Sequence, residues 1–277
     1  MIDQTVLESC ASGVISPEIA LAQLLLSGSP PDPAELGRLA RPGPLQTLAN
    51  LADRHRDQLE RLSGLARAGF TPEGDDPVAG AAALFDRLAT EAPEAAVAFY
   101  TFGDGEALSD ATAELAAVIR AWADPAGRRV LDYGCGIGRV AAALPEAASV
   151  LGLDVSAGMV AAARARCNAA NASFDHANGR DLTGVVNGSI DLLLAVDSWP
   201  FLVPAGPQAV DRMVAEIGRV LAPGGDFMIF NYSYRGDPAQ DESDVRALAV
   251  RHGFTVLRAR ERPFRIWDGV GFHLRRA

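Results

Sequence analysis

The chain has 277 residues, of which 49% are hydrophobic and 22% charged, enough for one large domain or a core domain with an extension around a sizeable buried core. Its formal net charge of -10 opposes long-range attraction to phosphate backbones and argues against nucleic acid as the main partner, although a local basic groove is compatible with it. There is no Lys, which excludes a lysine Schiff base or lysine general base, and Cys10, Cys135 and Cys167 are odd in number and too scattered for a disulfide framework or a metal site.

In chain order, Met1–Ile2–Asp3–Gln4 lacks the basic start and apolar run of a signal peptide, and the apolar stretches fall short of a membrane span. The expectation is a cytoplasmic chain in a reducing compartment. Ser16–Pro17–Glu18 reads as a helix cap with proline at the first helical position, opening Ile19–Leu26, and Asp32–Pro33 repeats the device. Leucines at 45, 48, 51, 59, 62 and 65 form one stripe at helical spacing, predicting a long helix over Leu45–Ala68 with His55 on its solvated face. A Gly-, Pro- and Asp-rich loop, Gly69–Pro77, separates this from helices over Val78–Thr90, Glu94–Tyr100 and Ala111–Ala123.

After Gly127 strands alternate with helices. The strands are Arg129–Asp132, Ser149–Asp154, Ser173–His176, Ile190–Val196, Asp226–Tyr232, Thr255–Glu261 and Val270–Arg275. Helices fall at Arg139–Leu144, Ala157–Cys167 and Ala209–Leu221, and His252–Gly253 reads as a helix C-terminus. The fold class is therefore α/β: a Rossmann-like, doubly wound, mostly parallel seven-stranded sheet, with a helical region over 1–126 ahead of the sheet domain over 127–277. Only Arg262–Gly269 joins the last two strands, too short for a crossover helix, so they pair antiparallel.

The first strand ends at Asp132 and runs directly into Tyr133–Gly134–Cys135–Gly136–Ile137–Gly138. Glycines there let the chain turn sharply and let backbone amides approach a ligand. Asp154, 22 residues on at the end of the second strand, is placed to accept hydrogen bonds from both hydroxyls of a ribose. Asp132-x-Gly134-x-Gly136-x-Gly138 followed by Asp154 resembles the first two motifs of the class I S-adenosylmethionine-dependent methyltransferases. Asn178–Leu182, Asp191–Val196 and Leu221–Gly225 resemble that family's third-strand loop, fourth strand and the turn into its fifth. The resemblance covers residues 127–277 and not the N-terminal part. A dinucleotide fingerprint needs its third glycine at Arg139 rather than Gly138, and a pyrophosphate disfavours an acidic neighbour such as Asp132, which an amino-acid ammonium welcomes.

The resemblance implies S-adenosylmethionine as cofactor and S-adenosylhomocysteine as product. It implies that Asp132, Gly134, Cys135 and Gly136 face the methionyl part and that Asp154 takes the ribose. The adenine then lies between Val155–Ser156 and Gly179–Arg180, its amine read by Asn178 or Asp181, and Val196 is a further cofactor-binding residue. Cys135 itself reads as a small residue that fits the loop.

Methyl transfer is an in-line displacement at an activated carbon, so alignment and exclusion of water dominate. The acceptor of an open α/β sheet lies beyond the carboxyl ends of the strands, which brings Asp197–Phe201, and with it Asn231–Tyr234, to the site. Asp197 and Trp199 are the candidate catalytic pair; the competing readings are a capping role for Asp197 and plain packing for Trp199 and Phe201. Tyr100 or Phe102 is a candidate contact to cofactor or substrate, against a role as hydrophobic anchor. No histidine has the partner spacing of a base: His176 is on the adenine side, His252 suits a helix dipole and His273 is structural.

The functional expectation is methylation of a small-molecule oxygen or nitrogen, the N-terminal helices acting as lid and selectivity region, with no metal, nucleic acid or membrane involved. Asp197–Ser198–Trp199–Pro200 departs from the Asn/Asp-Pro-Pro-aromatic signature of enzymes methylating nucleic-acid amines. Competing readings are a non-catalytic cofactor-binding or interaction protein and an NAD-linked oxidoreductase. Oligomeric state and the acceptor's identity are not encoded in any motif.

Overall fold

A computed structural model describes residues 2–27, 31–39, 42–68 and 75–277. It divides into two compact units. One comprises Met1–Thr71, Ala92–Ala111 and Phe264–Asp268, the other Pro72–Glu91, Thr112–Pro263 and Gly269–Ala277.

The first unit contains the helices α1 (Gln4–Ala11), α2 (Pro17–Leu26), α3 (Pro33–Leu39), α4 (Pro44–Arg54) and α5 (Arg56–Ala68). Ser16 caps α2 as expected, its hydroxyl accepting from the Ile19 amide at 3.2 Å while donating to the Ile266 carbonyl at 2.6 Å. Leu21, Leu25, Leu48 and Leu59 are fully closed in this unit's core. The predicted helix over Leu45–Ala68 is two helices, α4 and α5, broken at His55 (φ -99°, ψ 19°). The break turns His55 inward to 7% exposure against the Phe102 ring, centroids 5.3 Å apart, which corrects its expected place on a solvated face. The leucine stripe continues in phase through the break, so periodicity alone does not reveal it. Most of the expected loop Gly69–Pro77 lies outside the described residues.

The second unit opens with α6 (Pro77–Glu91), while α7 (Pro93–Val97) and a 3₁₀ turn over Phe99–Thr101 belong to the first; Ala98 splits the helix expected over Glu94–Tyr100. After α8 (Gly105–Trp122) come β1 (Arg129–Tyr133), α9 (Arg139–Ala142), β2 (Ser149–Asp154), α10 (Ala157–Arg166), β3 (Ala172–His176), β4 (Ile190–Val196), α11 (Trp199–Leu202), α12 (Pro207–Val220), β5 (Leu221–Phe230), α13 (Pro238–His252), β6 (Phe254–Glu261) and β7 (Gly271–Arg276).

The seven strands form one sheet in the order β3-β2-β1-β4-β5-β7-β6. Every neighbouring pair from β3 to β5 is parallel, and β7 runs antiparallel to both β5 and β6. β5 starts earlier than predicted, because Leu221 already pairs with Ile190 before residues 222–225 bulge out and pairing resumes at Leu192–Asp226. Leu131, Leu193, Phe227 and Ile229 pack in one core with Met213, Ile217, Leu248 and Ala249 of α12 and α13. The alternating residues Val130, Leu192, Leu194 and Met228 are buried as well, so both faces of the sheet are covered, as parallel strands require. The first crossover reverses between β1 and β4, and the loops after β1, β2, β3, β4 and β5 gather at the carboxyl edge where this architecture binds ligands.

Candidate functional site

β1 delivers Asp132 into a fully buried position, with 1% of its surface exposed and neither carboxylate oxygen hydrogen-bonded among the described residues. Burial pushes its pKa up to about 7, opposed by the Arg139 charge and assisted by that of Asp154. A buried, unsatisfied carboxylate is costly, and a cation is what removes the cost.

The glycine turn follows at once. Gly134 adopts φ +78° and its amide donates to the Leu153 carbonyl at 2.7 Å; a Cβ there would lie 2.3 Å from that of Ser198, whose hydroxyl donates to the Tyr133 carbonyl at 2.6 Å. The Gly136 amide donates to Asp154 Oδ2 at 2.8 Å. Gly138 is needed for packing, since a Cβ there would meet the Phe174 ring at 2.8 Å. Cys135 turns its buried side chain onto Gly152 of β2, and burial raises its pKa away from the thiolate.

Asp154, at the end of β2, is 8% exposed. Its second oxygen accepts the Ser156 amide at 2.9 Å, and burial raises its pKa against these two backbone hydrogen bonds. The strand ends of β1 and β2 thus bring Asp132, the glycine turn and Asp154 together.

On the far side the loops after β2 and β3 lie against each other. Val155 and Gly179 touch: a Cβ on Gly179 would lie 2.4 Å from Val155 Cγ1 and 2.7 Å from Val78 Cγ1 of α6. Asn178 and Asp181 are tied into a turn, Nδ2 of the former donating to Oδ1 of the latter at 2.9 Å, while Asn178 Oδ1 accepts the amides of Arg180 (2.7 Å) and Asp181 (3.1 Å). Arg180 pairs with Asp76. Gly179 and Arg180 also line a cavity of about 250 Å³, together with Asp76, Val78, Leu202, Ala205, Ala209 and Arg212.

At the ends of β4 and β5, Val196 is buried and precedes Asp197, which with Asn231 adopts a left-handed backbone (φ +54° and +71°). Asp and Asn tolerate that conformation better than other side chains, at a modest cost. Asp197 Oδ1 accepts from Asn231 Nδ2 at 2.7 Å and from the Tyr234 hydroxyl at 2.9 Å. Phe201 meets the exposed Tyr234 ring edge-on at 5.8 Å and Phe85 at 4.9 Å.

Trp199, by contrast, is wholly buried among Tyr133, Phe227 and Tyr232, a packing position that corrects its candidacy as a catalytic wall. Tyr100 and Phe102 are buried in the helical unit, Tyr100 stacked on Trp267 at 6.2 Å. His252 pairs with Asp211 and the buried His273 with Asp226, while the exposed His176 lies 3.0 Å from the Val155 carbonyl.

The residue that sequence reasoning missed is Asp86 on α6. Its Oδ1 accepts from the Ser156 hydroxyl at 2.6 Å and the Gly158 amide at 2.9 Å. No local pattern announces a contact across 70 residues of chain.

Among the described residues no cluster of three His, Cys, Asp or Glu is arranged to hold a metal ion, and no helix is long and apolar enough to cross a membrane.

Residues 130–225 match the family model described as methyltransferase domain. The chain is 37% identical over 176 residues to the ribosomal RNA small subunit methyltransferase C of Chromohalobacter salexigens, covering 61% of this chain and 49% of the relative. It is 35% identical over 132 residues to the fatty-acid O-methyltransferase of Mycolicibacterium smegmatis, covering 47% and 45%. The chain spans about half the length of the curated relatives it matches. Magnesium protoporphyrin IX methyltransferase from Synechocystis PCC 6803, solved with bound S-adenosylmethionine, shares the fold at a TM-score of 0.55 and 18% identity, over 75% of this chain and all of the other.

Proposed function

Because residues 130–225 match a methyltransferase-domain model, we propose that this chain is a class I S-adenosylmethionine-dependent methyltransferase that transfers a methyl group from that cofactor to an oxygen or nitrogen of a small molecule. The observation that carries the cofactor site is the orphaned carboxylate of Asp132 beneath the glycine turn, beside the capped carboxylate of Asp154. One buried anion without a partner suits the methionyl ammonium, and the other, fixed by two amides, suits the ribose hydroxyls. The residues present fit the group.

In this reading Asp132 holds the ammonium, and the backbone of Gly134, Cys135 and Gly136 lies along the methionyl part. Asp154 binds the ribose. Val155, Asn178, Gly179, Arg180, Asp181 and Val196 surround the adenine side. The cofactor supplies a methyl already activated on a sulfonium, so the chain's own work is alignment and exclusion of water. Asp197, held by Asn231 and Tyr234 at the carboxyl edge, orients the acceptor's N–H or O–H and takes its proton where the acceptor requires it. Phe201 and Tyr234 provide an apolar wall beside it. The N-terminal helices are assigned acceptor selection.

A small acceptor is favoured over nucleic acid by the charge of -10. The relatives differ on this point: one is named for ribosomal RNA and another for a fatty acid. Titration with S-adenosylmethionine, S-adenosylhomocysteine and NAD tests the cofactor; binding of NAD alone sinks the reading. Turnover of a labelled methyl donor on metabolites and on ribosomal RNA tests the acceptor. Asp197→Ala should keep cofactor affinity and lose turnover; labelling of RNA alone refutes the small-molecule assignment.

A further inference from the structure

Helix α6 comes from the N-terminal part of the sequence, yet it is bound to two of the loops that the proposed cofactor site uses, those after β2 and β3. At its start Asp76 caps the helix, with Oδ1 accepting the Val78 amide at 3.2 Å, and spends its other oxygen on Arg180 of the loop after β3. Val78 lies on Gly179 of the same loop. Two turns further on, Asp86 reaches the loop after β2.

The contact at Asp86 is specific in its chemistry. The Ser156 hydroxyl accepts the Met159 amide at 3.0 Å as the N-cap of α10, so its own proton must go elsewhere, and it goes to Asp86. The Gly158 amide is the next donor left without a partner inside the helix, and Asp86 accepts it too. Gly158 has no side chain to keep α6 away; a Cβ there would sit 3.0 Å from Ala89 and 3.3 Å from Asp86 Oδ1. The same Ser156 donates its backbone amide to Asp154 Oδ1. A continuous chain of hydrogen bonds therefore runs from Asp86 through Ser156 to the carboxylate assigned to the ribose.

We propose that α6 is a clamp on the nucleoside side of the cofactor site and that Asp86 is a positioning residue, fixing Ser156 and through it the orientation of Asp154. The proposal rests on the cofactor reading above. Asp86 touches no ligand itself; its negative charge at the α10 N-terminus and its two accepted hydrogen bonds hold the loop after β2 in one conformation. An apolar side chain at 86 leaves the Ser156 proton and the Gly158 amide to water and frees the loop, so the ribose meets a carboxylate that must first be ordered.

The test is calorimetric titration of the full chain with S-adenosylmethionine and S-adenosylhomocysteine, with melting temperatures in parallel. Asp86→Ala should weaken both ligands about five- to tenfold, the effect of two lost hydrogen bonds that act through the loop. Asp86→Asn keeps an accepting oxygen for both donors and should restore most of the affinity, which a role in folding alone does not predict. Hydrogen exchange over residues 77–91 should slow when ligand binds the wild type and respond less in Asp86→Ala. Asp154→Ala is the control. If it loses affinity while Asp86→Ala binds normally, the clamp is wrong and the cofactor site stands. Equal weakening by Asp86→Ala and Asp86→Asn likewise overturns the positioning role. If Asp154→Ala binds normally, the ribose assignment is at fault and the clamp falls with it.

Discussion

Two carboxylates are buried at opposite edges of the sheet, and they are treated in opposite ways. Asp226, at the amino edge beside Arg128, is closed to solvent and surrounded: His273 donates to it at 2.8 Å, Arg128 at 2.6 Å and Arg275 at 3.0 Å. Burial by itself would raise its pKa, but these hydrogen bonds win and hold it at about 2. Asp132, at the carboxyl edge, is equally closed and has no hydrogen-bond partner among the described residues, and burial pushes it to about 7. The same residue type is a completed structural joint at one edge and an unfinished one at the other. An unfinished joint in an otherwise satisfied core is where a ligand's charge belongs.

The largest effect should follow from breaking the finished joint. Asp226→Ala leaves Arg128, Arg275 and the buried His273 without their common acceptor, and should cost about 3–5 kcal/mol in urea unfolding. The wild-type contribution is present above the unfolded carboxylate pKa, near 4, and is lost as pH falls from there through about 2. An Asp226→Ala protein as stable as wild type at pH 7 would erase the contrast.

Next in size, Asp154→Ala should weaken S-adenosylmethionine about a hundredfold in calorimetry, since two hydroxyls lose a charged acceptor, and should lower the melting temperature as well, since the Gly136 and Ser156 amides lose theirs. Asp132→Asn should act differently again. The charge at Asp132 penalises the ligand-free fold increasingly as pH rises from about 4 to about 7 and by a constant amount above that. Removing the charge should make the ligand-free protein at least as stable at pH 7.5, while cofactor affinity drops about tenfold. In the wild type, affinity should rise with pH up to about 7, because the ammonium binds the deprotonated form and displaces a proton; in Asp132→Asn that slope should vanish. A slope of the same size in both proteins would show that the proton comes from elsewhere.

The sheet half was legible because its information is local. Parallel strands buried on both faces read as apolar runs such as Leu192–Val196, and Asp132 with its glycines sits in one short motif. What was not legible depends on tertiary partners. Trp199 belongs to the core only because Tyr133 at the end of β1, Phe227 of β5 and Tyr232 just after β5 converge on it. Asp197 finds Asn231 and Tyr234 more than 30 residues away, and Asp86 reaches Ser156 across 70. The approach of Val155 and Val78 to Gly179 is likewise a matter of side-chain packing that spacing does not carry.

The helical unit supplies a third buried ionisable group, and it allows the contrast to be tested without any ligand. His55 is 7% exposed, its Nδ1 has no hydrogen-bond partner among the described residues, and its ring rests on Phe102, itself in a left-handed conformation at φ +56°. Burial lowers its pKa, outweighing the Asp104 and Glu18 charges that favour the imidazolium, while Arg54 adds to the lowering. A histidine held neutral in the fold takes up a proton more readily when unfolded, so stability is lost as pH falls below about 6.5 towards the folded value. The loss is bounded by about 1.4 kcal/mol for each pH unit. His55→Leu keeps the volume and removes the proton site, so it should be within about 1 kcal/mol of wild type at pH 7.5 and overtake it by pH 5. Parallel pH curves would mean that the imidazole gains a partner on protonation, and that this unit, like the amino edge of the sheet, completes its polar contacts internally.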